Sequence, residues 1–189
     1  MKLLKKKKEL YDDSWLYILI LITLVILSQS LKNYGFTISG ISLSYGIFIL
    51  PFLFFIPNYI LKKYGYERSI VAISGSGLSL VLFFLIINFS VGKEINMLDI
   101  CGDFLGYVGA QFVGLTIYNF LFKNTNCSYI LLFFMYLFDL IVFYLIYTLF
   151  NMNLLLTDSY WNGYFLTLVL QSILCVAITY LDKKTIPGL

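Results

Sequence analysis

The chain has 189 residues, 60% of them hydrophobic and only 12% charged, with a formal net charge of +3 and a mean hydropathy of +0.88. Soluble domains carry about 25% charged residues, so this composition is that of an integral membrane protein. Histidine is absent, which removes the commonest metal ligand and proton shuttle; the positive charge has its largest block in a short terminal cluster and does not indicate nucleic-acid binding.

Six apolar stretches follow one another, near 14–31, 36–61, 69–91, 98–122, 128–150 and 160–181. Runs of this length cross a bilayer as helices. Lys2, Lys5, Lys6, Lys7 and Lys8 precede the first, but it lacks a small-x-small cleavage site and is predicted to stay as a span. The second contains Gly40, Ser42, Ser44 and Gly46, then Pro51, Pro57 and Asn58. Prolines inside a span free backbone carbonyls and break helices beside cavities. The third holds Ser74-Gly75-Ser76-Gly77, small residues that permit close helix contact, and Asn88 nearer its outer end.

In the fourth stretch Gly106, Ala110 and Gly114 recur every four residues and predict a packing seam. Gln111 adjoins that seam deep in the span. Asp99 and Asp103 are four apart and share a face near the outer end, with Lys93 as a counter-charge. The fifth stretch carries Asp139 near its middle. A carboxylate at the centre of a spanning helix costs roughly 2.5–3.5 kcal/mol on insertion scales, which makes Asp139 a functional-site candidate. The sixth offers Gln171 at mid-depth. Cys101, Cys127 and Cys175 form no CxxC pair and read as small buried residues rather than disulfides or metal ligands.

The linkers are short, so the expected fold is an all-α membrane protein, a single bundle of six transmembrane helices over 14–182, preceded by a basic cytoplasmic segment over 1–13. With six spans, one side receives Lys2, Lys5, Lys6, Lys7, Lys8, Lys62, Lys63, Arg68, Lys123, Lys183 and Lys184, eleven basic residues against Lys32 and Lys93 on the other. The positive-inside rule therefore predicts cytoplasmic N- and C-termini in the inner membrane. Trp15, Trp161, Tyr11, Tyr64, Tyr160 and Tyr180 fall near segment ends, where an interfacial aromatic belt belongs.

Amide groups that converge with one carboxylate suit a small polar ligand, and a planar heterocycle fits them well. A carboxylate accepts two hydrogen bonds from adjacent N–H donors, amides pair with the remaining edge, and Tyr or Phe faces stack on the ring. No Gly-rich phosphate loop, nucleophile–base set, metal cluster or cofactor loop is present, so neither an enzyme nor a cofactor is expected.

Three motifs carry a family resemblance across roughly residues 28–181. Gly46-Ile-Phe-Ile-Leu-Pro51-Phe-Leu-Phe-Phe-Ile-Pro57-Asn58 with Tyr64-Gly65, Gly106-Tyr107 with Ala110-Gln111 and Tyr118-Asn119, and Phe138-Asp139-Leu140-Ile141-Val142-Phe143-Tyr144 occur in order and at similar spacing. The chain thereby resembles the vitamin-uptake-like family of queuosine precursor transporters. It departs from that family at Asn58, Gly114, Phe120 and Gln171, where the family carries an acid, an acid, a base and a lysine. The resemblance implies a multi-pass importer of a modified purine-like base, a 7-deazaguanine such as preQ0 or preQ1. It also implies Asp139 as the group holding the ring's donor edge, with Gln111, Asn58, Asn119 and Gln171 as lesser polar contacts. The bilayer and a small-molecule substrate are the expected partners, with a homo-oligomer or an ATPase module left open. Two other readings stay open: a vitamin-binding subunit driven by a separate ATPase module, and a non-transporting membrane protein whose glycine seam serves assembly.

Overall fold

The computed structural model describes the backbone of residues 2–31, 34–38, 41–91, 97–122, 129–150 and 158–185, and the side chains of a smaller set within them. Lys32, Lys93, Lys123 and Cys127 lie outside the described residues. So do the side chains of Lys2, Lys5–8, Tyr11, Asp99, Tyr160, Trp161, Lys183 and Lys184.

Six helices account for nearly all of the described chain: α1 Lys2–Ser30, α2 Leu50–Tyr64, α3 Tyr66–Val91, α4 Met97–Phe122, α5 Tyr129–Phe150 and α6 Asp158–Thr185. Four helices contain stretches long and apolar enough to cross a membrane, Asp13–Ser30, Tyr66–Ser90, Ile100–Phe120 and Tyr129–Phe150, judged over the described residues. Their outward faces carry large apolar side chains, including Leu16, Leu19, Leu82, Ile86, Phe89, Phe120 and Leu149. A water-exposed monomer rarely presents so much contiguous apolar surface, whereas lipid accepts it.

The second apolar stretch is not one helix, contrary to the expectation for 36–61. Its first part forms an antiparallel hairpin of β1 Gly35–Ile38 and β2 Ile41–Ser44, with Gly35 opposite Ser44 and Ile38 opposite Ile41. A 3-10 turn, Tyr45–Phe48, follows. The reason is local. Gly40-Ile41-Ser42-Leu43-Ser44 alternates small or polar with apolar, the period of a strand and not of a helix. Gly35 is required there, because a Cβ would overlap the Leu43 carbonyl of the facing strand. Ser44 ends the hairpin by donating its hydroxyl to Leu31 O at 3.0 Å and accepting from the Gly46 N–H at 3.1 Å. Helix α2 then begins with Pro51 in its first turn, where a missing N–H costs nothing. At 15 residues it is about 22 Å long, shorter than a hydrocarbon core of about 30 Å.

Gly65 alone separates α2 from α3. Its φ of +97° and ψ of 173° lie in backbone space nearly restricted to glycine, and its N–H closes α2 on Leu61 O at 3.0 Å. At this end Lys63 Nζ lies 5.2, 5.7 and 5.0 Å from the ring centroids of Tyr17, Tyr59 and Tyr64. Arg68 stands 5.7 Å from the Trp15 ring. Cations over aromatic faces are favourable contacts, and such aromatics sit well at a membrane interface.

The core joins all six helices through residues such as Leu21, Phe54, Ala72, Ala110, Tyr136 and Cys175. The closest pair is α4 with α5. There the expected seam is used: Gly106 abuts the Phe143 carbonyl, Ala110 is fully buried, and Gly114 abuts Asp139. Of the α3 glycines Gly77 acts likewise, for its Cβ would lie 2.6 Å from Val108 Cγ2, whereas nothing stands within 4 Å of a Cβ on Gly75; Ser76 shares a hydrogen bond with the Tyr107 hydroxyl at 2.9 Å.

Candidate functional site

At the hairpin end of the bundle a cavity of about 180 Å³ opens between α1, α5 and α6, with the hairpin beside it. A hole of about 150 Å³ holds one benzene, so this volume suits a single small planar solute. Its lining is assembled from five helices and the turn before α2. Ser28 and Gln29 come from the last turns of α1, Asp103 from the early part of α4, and Thr167 and Gln171 from α6. Leu43, Ser44, Gly46 and Leu50 close the hairpin side. Helix α5 supplies an aromatic wall: Phe143, Tyr144 and Tyr147, with the Phe143 and Tyr147 rings stacked at 6.4 Å and 11° and Phe143 also edge-on to Phe54.

Two of the polar lining groups, Gln171 and Gln29, carry buried atoms without a partner among the described residues. Gln171 is 0% exposed, and neither its Nε2 nor its Oε1 has a hydrogen-bond partner among the described residues. Gln29 Oε1 is likewise buried without a partner there. Buried amides are normally paired, because an unpaired one costs about 1–3 kcal/mol. Two such amides on one cavity offer a donor and two acceptors to whatever enters. Asp103, 2% exposed, adds a carboxylate to the same wall. The set can bind an aromatic ring by its faces and its hydrogen-bonding edge together.

Of the five side chains singled out from sequence, only Gln171 lines this cavity. Gln111 is buried, but its Nε2 donates to Leu53 O at 2.8 Å. That carbonyl is the one deprived of its helical donor by Pro57, four residues on, so Gln111 repairs α2 from the neighbouring helix. Asn58 donates Nδ2 to Phe54 O at 3.2 Å within α2. Asn119 is half-buried in the last turn of α4, its Oδ1 without a partner among the described residues. Asp139 is 1% exposed and lies against Gly114 rather than on the cavity wall. A Cβ on Gly114 would overlap its Oδ2 and stand 2.8 Å from its Oδ1, so the carboxylate is laid flat on the α4 backbone.

Gln29, Tyr144, Tyr147 and Thr167 were not singled out from sequence. Gln29 had a signal, an amide within Ser28-Gln29-Ser30 closing an apolar run. Tyr144 closes the Phe138–Tyr144 motif without having been named as a contact, while Tyr147 and Thr167 had no signal, because aromatic and hydroxyl residues are scattered through every span. Among the described residues no group of three or more His, Cys, Asp or Glu side chains could hold a metal ion. Comparisons with protein-family models, curated proteins and solved structures found no match to this chain.

Proposed function

We propose that the protein is a membrane importer that binds a small planar solute in the hairpin-end cavity, with both termini in the cytoplasm and the cavity facing the outer side. The observation that carries this reading is the buried Gln171 amide, unpartnered on both atoms, on a cavity walled by α5 aromatics. A ring with hydrogen-bonding edges satisfies that amide; lipid does not. The resemblance of the spans to queuosine precursor transporters makes a 7-deazaguanine the solute to test first. In this reading Asp103 accepts the two adjacent N–H groups of the guanine-like edge, Gln171 and Gln29 pair with the remaining polar edge, and Tyr144, Tyr147 and Phe143 cover the ring face. Asp139 has a different part, because it lies against Gly114 of α4 and does not line the cavity.

Thermal unfolding of the purified protein with preQ0, preQ1 and, as a control, adenine tests the assignment. Saturation at a hundred times Kd stabilises a folded protein by about 2.7 kcal/mol, so preQ0 should raise Tm by several degrees and adenine should not. Asp103→Asn should weaken preQ0 binding at least tenfold, a loss of about 1.4 kcal/mol. Absence of any shift with both deazaguanines would sink the substrate assignment. Rescue of tRNA modification in a queuosine-auxotrophic strain, fed the precursor and carrying this gene, tests import itself.

A further inference from the structure

The second buried acid stands outside the cavity, and its surroundings give it a separate role. Asp139 is ten residues from the start of α5 and eleven from its end, hence about 15 Å from either at 1.5 Å per residue. Its Oδ1 has no hydrogen-bond partner among the described residues. Among the described residues, the elements around it bring no cation. Helix α4 offers the Gly114 backbone and, farther along, Tyr118; α6 offers the neutral thiol of Cys175 in the neighbourhood. One turn away on α5, the Tyr136 hydroxyl meets Thr179 Oγ1 at 3.4 Å with Asn58 beside it. Helix α2 contributes the Pro51 carbonyl, 3.6 Å from Cys175 Sγ. A carboxylate that has lost its water and gained no counter-charge is neutralised by a proton instead. An isolated acid held at mid-depth is the usual form of a proton relay.

The same acid is tied to the cavity by α6. Thr167, Gln171, Cys175 and Thr179 recur every four residues, all buried, and so form one polar stripe facing inward. Thr167 and Gln171 line the cavity, Cys175 lies one turn deeper with its Sγ at the Pro51 carbonyl, and Thr179 meets Tyr136. On α5 itself Asp139 is four residues, about one helical turn, from the cavity-lining Phe143.

We propose that Asp139 is a proton-binding site coupled through α6 to the solute cavity, so that a proton gradient drives import. The inference rests on the cavity being the solute site. The carboxylate takes one proton from the cavity side, forming one O–H bond, and remains neutral while the loaded bundle changes its access. On the opposite side that O–H bond breaks, the proton leaves to water, and the carboxylate is regenerated. One positive charge crosses with each neutral solute such as preQ0. The flat seat on Gly114 suits this cycle, because it supplies close packing to the acid in both forms without committing Oδ1 to a donor.

Two measurements on the full-length protein in liposomes test it. In the first, radiolabelled preQ0 uptake is followed with and without an imposed pH gradient, acid on the uptake side. Wild type should accumulate preQ0 about tenfold per pH unit at one proton per solute. Asp139→Asn should bind preQ0 as tightly as wild type in thermal unfolding and still equilibrate it, while gradient-driven accumulation is lost. A merely structural role would impair binding and equilibration together. Accumulation by Asp139→Asn equal to wild type overturns the proposal. The second measurement needs no solute: the infrared C=O stretch of a protonated, water-shielded carboxyl should be present in wild type, absent in Asp139→Asn and retained in Asp103→Asn. Its absence from wild type, or its persistence in Asp139→Asn, also overturns the proposal. Failure of preQ0 to bind would instead remove the substrate assignment, leaving the infrared band to decide on Asp139.

Discussion

At the scale of single residues, the buried amides divide by what their atoms already touch. Gln111 is a repair of Pro57: one side chain on α4 gives back the hydrogen bond that a proline ring removed from α2. Gln111→Leu should therefore destabilise the protein by about 1–3 kcal/mol, the cost of an unsatisfied buried carbonyl. Pro57→Ala restores the N–H that Leu53 O lacks, so the double variant should recover most of that loss. Unfolding of the two single variants and the double variant in detergent measures the coupling; strictly additive effects would show that Gln111 acts otherwise. Gln171 predicts the opposite sign. Its amide has no partner to lose among the described residues, so Gln171→Leu should leave stability unchanged or raise it while preQ0 binding falls at least tenfold, about 1.4 kcal/mol. In sequence both are glutamines in apolar helices. Depth alone cannot separate them, because the difference lies in whether a proline on a neighbouring helix has left a carbonyl open.

At the scale of elements, legibility followed periodicity. Helices α3, α4 and α5 begin and end within a few residues of the apolar runs that predict them, since a long apolar run bounded by polar loops has few alternatives in a membrane. The hairpin was hidden by the same hydrophobicity. Residues 36–48 are as apolar as a span, and only the alternation through Ile41, Leu43 and the serines marks a strand. The single-residue break between α2 and α3 is sharper in sequence, as Tyr64-Gly65-Tyr66, and sharper in energy. Gly65→Ala forces a Cβ into backbone space costing of order 1–3 kcal/mol although nothing stands within 4 Å of that Cβ. Calorimetry should find that loss with preQ0 affinity unchanged, because Gly65 lies at the opposite end from the cavity. An unchanged Tm would mean the α2–α3 corner relaxes without strain. Gly114 works by contact instead: Gly114→Ala collides with the Asp139 carboxylate and displaces that side chain from its seat on α4.

At the scale of the whole molecule, the described basic side chains of the α2–α3 corner and the cavity lie at opposite ends. Lys62, Lys63 and Arg68 follow or border the α2–α3 corner, where Lys63 and Arg68 lie over Tyr17, Tyr59, Tyr64 and Trp15. The cavity opens at the hairpin end. In the proposed orientation the corner end is cytoplasmic, as expected from the sequence, where six spans would put eleven basic residues on one side against two and short loops rich in Lys and Arg resist translocation. The bias and the proposed direction of transport agree: a solute and a proton taken from the outer side would meet the cavity first and the Asp139 carboxylate one turn deeper. A fluorescent protein fused after Leu189 should therefore mature and fluoresce in bacterial cells, while alkaline phosphatase inserted between Ser39 and Gly40 should be active. The reverse pattern would place the cavity on the cytoplasmic side. Import would then have to begin at the basic end, against the order in which cavity and acid are stacked, and the bundle would be better suited to export.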